Sequence, residues 1–439
     1  MALQIILRGV VLGAALLLSA PARGDAPHAR PAPDAPALAA IGPHAVGVMR
    51  LRVSRRDIGS RVPAPYADKE IGALVWYPAE DASADRPSTA YRARLPVSLS
   101  VAPRGGSPVM VKGVAVDDAA PKADGPWPLV IISHGFQNWA ANMAYLGENL
   151  ASKGYVVASI DHFDLDVTDA AARRRSATES ILTRAGDMTA MAERLLARST
   201  DPDDPLRGRI DPDRIALAGY SMGGFGALTA AGAKFDPDSP LMKAVPAALR
   251  PPQTDYLSGR VDALILIAPW GGAPDVRIWT ADSLTTLMSR TLFIVGDHDD
   301  IVGYNGVRWL YDSMTGADRH LLVYENARHN TGPEPAPPAI RHAMASLERY
   351  EEPVWRAGRI LAINQHFATA HLDAALKGDG GAAHYLDVPA IHSNDGVWGD
   401  APAPLDALAT PEANPGFWPG FQPRWALGLQ LHAASGRGD

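Results

Sequence analysis

The chain has 439 residues, 47% of them hydrophobic and 20% charged, and a formal net charge of −7. This composition is typical of a globular protein, and the absence of a long basic block excludes most nucleic acid partners. The chain contains no cysteine, so disulfides, thiolate metal sites and a cysteine nucleophile are also excluded.

The first 24 residues have the pattern of a signal peptide. Arg8 is followed by an apolar run over residues 10–18 and by the small residues 19–22. The apolar run is shorter than the roughly 20 residues needed to span a bilayer, which argues against a membrane anchor. We therefore expect export to the periplasm or exterior, cleavage that leaves no membrane span, and an Ala/Pro-rich linker over residues 25–43.

Strands come next along the chain, first alone and then in alternation with helices. Residues 46–53 and 71–77 predict two strands at an antiparallel edge. Later strands are predicted at 129–132, 155–160, 215–218, 263–268, 292–295 and 321–324, and helices at 140–153, 178–198 and 222–233. The pattern predicts an α/β fold over residues 44–333, with a mostly parallel twisted sheet of about eight strands and helices on both faces.

Residues 334–439 predict an extension with a helix and several tryptophans. Ile360, Ile363 and Phe367 have helical spacing, which buries one helix face. Trp398 and Trp418 add too much aromatic surface for a disordered end. We expect this extension to pack on the catalytic domain.

The strongest motif is Gly219-Tyr220-Ser221-Met222-Gly223, which directly follows the predicted strand 215–218. This is the pattern of a nucleophile elbow, in which a strained strand-to-helix turn raises the serine Oγ above the sheet. A Cβ at Gly219 or Gly223 would collide with the crowded turn. The motif alone is weak because it recurs by chance, so its context must support it.

A serine nucleophile needs a histidine to take its proton and an acid to orient that histidine. In the order typical of this elbow, the acid and then the histidine follow the serine, each after a strand. Asp297, Asp299 and Asp300 compete for the first position, and the turn geometry favours Asp299. His329 follows the last predicted strand and is the candidate base.

The oxyanion of the tetrahedral intermediate needs two donors. We expect them to be the backbone N–H of Met222, at a helix N-terminus, and that of Phe136, in the loop after strand 129–132. His134 would hold this loop by hydrogen bonding. Four more side chains are candidates for the substrate pocket: Trp139, His162, Tyr220 and Trp270. The competing interpretation is a structural hydrogen bond for His162 and core packing for the two tryptophans.

Together these motifs resemble the platelet-activating-factor acetylhydrolase and dienelactone-hydrolase-like branch of the α/β-hydrolase superfamily, over roughly residues 45–333. The resemblance lies in residues 75–78, 133–135, 142–155, 160–162 and 211–214 as well as in the elbow. It implies the α/β-hydrolase fold, a triad of Ser221, Asp299 and His329, and an oxyanion hole at Phe136 and Met222. Dienelactone hydrolases proper use cysteine, so Ser221 argues against that reaction, and Tyr220 replaces the histidine common before the serine.

We therefore predict a serine carboxylic-ester hydrolase that acts through an acyl-enzyme on small or short-acyl esters. A polyester, lipid-like ester or amide could be cleaved by the same triad, because a triad does not fix the leaving group. A non-catalytic binding protein on the same fold is the alternative from another class. No cofactor or metal is expected, because the short turn over residues 297–300 cannot supply six oxygen ligands.

Overall fold

The structure is a computed structural model that describes residues 31–80, 86–93, 109–164, 169–250, 256–399, 404, 406–410 and 412–437. The predicted signal peptide and the first six residues of the predicted linker lie outside these ranges. The rest of the predicted linker, residues 31–43, packs on the C-terminal region. Asp34 pairs with Arg356 and Arg359, and the side-chain amide of Gln422 donates to the carbonyls of Pro33 and Ala35.

The strands of the described ranges are β1 (Ala45–Ser54), β2 (Glu70–Ala79), β3 (Ala90–Arg92), β4 (Met110–Lys112), β5 (Val116–Asp117), β6 (Trp127–Ser133), β7 (Val156–Asp161), β8 (Ile210–Tyr220), β9 (Ala263–Ile267), β10 (Arg290–Gly296), β11 (Arg319–Tyr324) and β12 (Leu429–Ala434). One sheet has the order β12-β11-β10-β9-β8-β6-β7-β2-β1-β5, and β3 pairs with β4 separately. The six strands from β11 to β7 in that order are parallel, whereas β2, β1 and β12 run antiparallel to their inner neighbours.

The described sheet has ten strands rather than the predicted eight or so, and both additions lie at its edges. β5 has only two residues, too few for a pattern. β12 comes from the predicted extension, where Leu429 and Leu431 are buried and Gln430 and His432 are partly exposed. That alternation is typical of a strand with one buried face. The C-terminal region therefore completes the sheet as well as packing on it.

The helices are α1 (Ala144–Ser152), α2 (Ala170–Thr200), α3 (Met222–Ala230), α4 (Pro240–Ala244), α5 (Ala281–Thr285), α6 (Tyr304–Ser313), α7 (Met344–Tyr350), α8 (Ala357–Leu376) and α9 (Gly380–Ala383). α1 and α8 pack together against the sheet, and α2 and α3 form a second pair against it. β9 is buried along its whole length and β10 at every residue after Arg290, as expected for a parallel sheet covered on both faces. Within the described ranges, no helix has both the length and the hydrophobicity of a membrane span.

Candidate active site

Ser221 lies at the tip of the turn between β8 and α3, with φ 54° and ψ −114°. This conformation is strained for a residue with a Cβ and raises the side chain above the sheet. The turn leaves no room for larger neighbours: a Cβ on Gly219 would lie 2.2 Å from the carbonyl carbon of Gly223, and one on Gly223 would lie 1.8 Å from the carbonyl oxygen of Ser133. The expectation that both positions require glycine is confirmed.

The structure brings Ser221, Asp299 and His329 together from three separate loops. The Nε2 atom of His329 lies 3.1 Å from the Oγ of Ser221, and its Nδ1 atom lies 2.8 Å from the Oδ2 of Asp299. An ionised carboxylate can only accept a hydrogen bond, so Nδ1 carries the hydrogen and Nε2 presents its lone pair to the serine. This is the arrangement that a hydroxyl nucleophile needs in order to lose its proton.

Asp299 is surrounded by donors that favour its charged form. Burial by itself would raise the pKa of its carboxyl group, but the hydrogen bond and charge of His329 and the amides of Val302 and Ile301 lower that pKa below its ordinary value. Both amides donate to Oδ1 at 2.9 Å. The carboxylate is therefore ionised at neutral pH and fixed in orientation.

The two competing aspartates face other partners. Asp297 accepts a hydrogen bond from the amide of Asn326 at 2.7 Å, and Asp300 pairs with Arg328. Neither reaches the imidazole of His329, so among the three aspartates only Asp299 is placed to orient it.

The loop after β6 lies directly against the elbow. A Cβ on Gly135 would lie 2.8 Å from the ring of Tyr220 and 3.5 Å from the Cβ of Ser221. The Nδ1 of His134 donates to the Gly135 carbonyl at 2.7 Å, since an oxygen acceptor requires the hydrogen on that nitrogen. The C=O of Gly135 and the N–H of Phe136 belong to one planar peptide unit and point in opposite directions, so this bond sets the direction of the Phe136 amide.

The Met222 amide is the other expected donor. Met222 is the first residue of α3, so its N–H has no acceptor within the helix and lies at the positive end of the helix dipole. The Met222 amide thus directly follows Ser221, and the Phe136 amide follows Gly135, which lies against the same turn.

Behind this loop lies a buried network of charged groups that sequence analysis missed. Arg184 donates to the Oγ of Ser133 at 2.9 Å and to the carbonyl of His134 at 2.7 Å, and it pairs with Asp164 at 2.6 Å. Arg184 lies on the buried side of a long helix, where its mixed polar sequence gave no distinguishing signal. The network fixes the backbone from which the Phe136 amide projects.

His162, a pocket candidate, belongs to this network. Its Nδ1 lies 2.9 Å from Asp187, which also pairs with the buried Arg55, and its Nε2 lies 3.0 Å from the Oγ of Ser133. Burial holds the pKa of His162 well below its ordinary value, so the ring stays neutral. Its place in the structure is under the loop and not in the wall of the cavity.

A cavity of about 1180 Å³ opens above Ser221, and His329 and Tyr220 line it. The Tyr220 ring lies 5.2 Å from the ring of His329, centroid to centroid, and its hydroxyl donates to the His329 carbonyl at 3.3 Å. The other two pocket candidates are not among the residues that line this cavity: Trp139 is buried against Tyr350, and Trp270, which is partly buried, contacts Phe225 edge-on and donates its backbone amide to the carbonyl of Ser221 at 3.1 Å.

Two family models match parts of the chain. A PET hydrolase-like model matches residues 120–269, and the model of platelet-activating factor acetylhydrolase, isoform II, matches residues 38–184. Among solved structures, a ferulic acid esterase from Streptomyces cinnamoneus has a TM-score of 0.50 and 21% identity, covering 76% of this chain and 91% of that one. This likeness shows the fold.

Curated relatives include Cutinase 2 of Thermobifida cellulosilytica, 30% identical over 202 residues that cover 43% of this chain and 70% of the relative. The match to Cutinase cut1 of Thermobifida fusca covers 57% of that protein, at 30% identity. A bis(hydroxyethyl) terephthalate hydrolase of Streptomyces coelicolor is 36% identical over 110 residues, which cover 25% of this chain and 30% of the relative. The chain thus belongs to the α/β-hydrolase superfamily, in the esterase branch of the platelet-activating-factor acetylhydrolases and dienelactone-hydrolase-like enzymes, and is a carboxylic ester hydrolase.

Proposed function

We propose that the protein is a serine esterase that forms an acyl-enzyme on Ser221. The observation that carries the proposal is the hydrogen-bonded chain from Ser221 through His329 to Asp299. As Oγ bonds to the ester carbonyl carbon, its proton passes to Nε2 of His329, and Asp299 stabilises the imidazolium through Nδ1.

The amides of Phe136 and Met222 are proposed to bind the oxyanion of the tetrahedral intermediate. When the intermediate collapses, the bond between the carbonyl carbon and the alkoxy oxygen breaks and the imidazolium gives its proton to the departing alcohol. A water molecule then loses a proton to His329 and attacks the acyl carbon. The bond between that carbon and Oγ breaks, the acid leaves, and the imidazolium returns the proton to Oγ of Ser221.

The proposed substrates are small esters of short carboxylic acids. Above Ser221 the cavity has apolar walls from side chains such as Phe136, Leu347 and Leu361, which suit an acyl or alkyl group. A second candidate, the ester of an aromatic diacid or a short polyester, is favoured by the cutinase and terephthalate-ester hydrolase relatives. The cavity volume accommodates either class.

A substrate panel tests the proposal. p-Nitrophenyl esters from acetate to palmitate, bis(hydroxyethyl) terephthalate and an anilide would be assayed with the wild type and with Ser221→Ala. We expect hydrolysis of short esters, little or none of the anilide, and a loss of kcat of about 10⁵-fold or more in the variant. Equal hydrolysis by a folded Ser221→Ala protein would contradict the role of Ser221.

Export is proposed from the sequence of residues 1–24. Sequencing of the N-terminus of protein recovered from the periplasm or medium of an expressing bacterium should give a start near residue 25. Recovery in the cytoplasm with the first residues intact would contradict it.

A further inference from the structure

The C-terminal region contributes a segment that contacts two loops of the candidate site. This α7 segment, residues 344–352, consists of α7 and the two residues that follow it. It lies well beyond residue 269, where the family-model matches end. It nevertheless contacts the oxyanion loop, residues 133–139, and the histidine loop, residues 325–331.

Arg349 contacts the oxyanion loop. Its Nη2 donates to the carbonyl of Phe136 at 2.6 Å and to that of Gln137 at 2.5 Å. Gln137 has a left-handed backbone, with φ 56°, so the loop depends on such contacts to keep its shape. The ring of Tyr350 packs edge-on against Trp139 at the end of the same loop, with centroids 5.9 Å apart.

Glu352 contacts the histidine loop. One carboxylate oxygen accepts from the amide of Arg328 and the other from the amide of Asn330, both at 2.6 Å, so the two bonds flank His329. The side-chain amide of Asn330 donates to the carbonyls of Glu348 and Glu351 at 3.0 Å. Glu352 is 7% exposed as a residue, so these bonds are largely shielded from water.

The two loops follow strands that are far apart in the sheet. β8, β9 and β10 lie between β6 and β11, so at the usual strand spacing the loop bases are separated by roughly 19 Å. The hydrolytic step needs the oxyanion donors and the imidazole placed correctly around one carbon atom, and an error of about 1 Å can cost about a hundredfold in rate. A direct bridge between the loops would limit such errors.

We propose that the α7 segment fixes the oxyanion loop and the histidine loop relative to each other, with Arg349 and Glu352 as positioning residues for catalysis. This inference rests on the proposed function of Ser221, His329 and the Phe136 amide. Neither residue takes part in bond making: Arg349 acts through the Phe136 amide and Glu352 through His329.

Kinetics of paired variants test the inference in the full-length enzyme. Arg349→Met and Glu352→Ala should each lower kcat by about 10-fold or more while KM changes little, because the lost alignment matters most in the transition state. Arg349→Lys and Glu352→Gln, which keep one donor or one acceptor, should recover part of the loss.

Two matched controls remove similar bonds away from the site. Arg319 also donates to two carbonyls, those of Tyr311 and Ser435, and Asp379 also accepts from two amides, those of Gly381 and Ala382. Arg319→Met and Asp379→Ala should lower thermal stability and leave kcat unchanged. Arg349→Met and Glu352→Ala proteins that are folded and as active as these controls would overturn the inference.

The result is separable from a failure of the proposed function. If the wild type itself neither hydrolyses esters nor reacts with a phosphonate at Ser221, the proposed function fails. If the wild type is active but the Arg349→Met and Glu352→Ala proteins keep the kcat of the control variants, only the positioning role is overturned.

Discussion

At the scale of single residues, the candidate site depends on the direction in which each polar group points. Asp299, His329 and Ser221 form a line of hydrogen bonds in which the ionised carboxylate can only accept, so Nδ1 of His329 donates to it and Nε2 accepts from the hydroxyl of Ser221. Because Asp299 is ionised and also held by two amides, the imidazole has one tautomer and one orientation. The neighbouring carboxylates, although close in sequence, cannot replace it.

Replacing Asp299 by asparagine tests this account. An amide in that place can donate to Nδ1, which favours the wrong tautomer, and kcat should fall by about 10³–10⁴-fold. Asp297→Asn is the matched control, because Asp297 accepts from the amide of Asn326 and not from His329. Steady-state kinetics on a p-nitrophenyl ester would measure both. A comparable loss in Asp297→Asn, or none in Asp299→Asn, would contradict the assignment.

Much of this site could be predicted from sequence because its motifs are local. The elbow around Ser221 is five adjacent residues, and His329 and the acid each follow a strand that hydrophobicity alone reveals. The contacts of Arg184 and Arg349 are different, since they join residues 50 and 213 positions apart in the chain. No spacing rule connects such residues, and only the folded chain places them together.

At the scale of elements, α2 shows how an N-cap can start a helix ahead of its hydrophobic pattern. It begins at Ala170 instead of near residue 178, because Asp169 caps it by accepting from the amide of Ala172. Three consecutive arginines, residues 173–175, lie in its first turns, and this charged sequence shows little hydrophobic periodicity. Farther along, the same helix carries Arg184 and Asp187 into the core, where each has an ionic partner.

Loss of the buried ion pair between Arg184 and Asp164 should destabilise the protein more than loss of an exposed ion pair. Arg184→Met would leave Asp164 buried without its cation and would remove the arginine donor to the His134 carbonyl. We expect the free energy of unfolding to fall by about 3–5 kcal/mol. Arg308→Met, on α6, breaks an exposed pair with Asp312 and should cost less than about 1 kcal/mol. Urea denaturation of both variants measures the difference. Equal effects would show that the buried network contributes no more than a surface pair.

At the scale of the whole molecule, the two ends of the described chain are joined to the catalytic core. Residues 31–43 lie against α8, and β12 extends the sheet beyond β11. His366 on α8 is at the centre of this junction: its Nδ1 accepts from the amide of Leu38 at 3.2 Å, and its ring contacts Tyr385 and Phe421. The sequence predicted that the C-terminal region packs on the core, but not that it supplies a strand.

Acid should weaken this junction. Burial, with the nearby charge of Lys153, lowers the pKa of His366 to about 3, whereas in the unfolded chain it is about 6.5. Between these pH values the unfolded state binds a proton that the folded state does not. The contribution of His366 to the free energy of unfolding is therefore complete above pH 6.5 and decreases as the pH falls towards 3, by up to about 1.4 kcal/mol per pH unit. His371 on the same helix, with a pKa also lowered to about 3 by burial, adds a second such contribution.

His366→Asn isolates this effect, since asparagine can still accept from the Leu38 amide but does not titrate. The variant should be less stable than the wild type at pH 7, because ring contacts are lost, and its stability should fall less steeply between pH 6 and pH 4. Urea titrations at several pH values give both slopes. If the free energy of unfolding of the variant and of the wild type changed with pH at the same slope, His366 would not be a neutral, buried group.

The central claim is that Ser221, activated by His329, attacks a carbonyl carbon beside the amides of Phe136 and Met222. A crystal structure of the protein after reaction with a short alkyl phosphonate ester tests it most directly. The account predicts one adduct, on the Oγ of Ser221, with its phosphoryl oxygen within hydrogen-bonding distance of both amides. A folded protein that forms no adduct at Ser221, or an adduct whose phosphoryl oxygen points away from both amides, would contradict it.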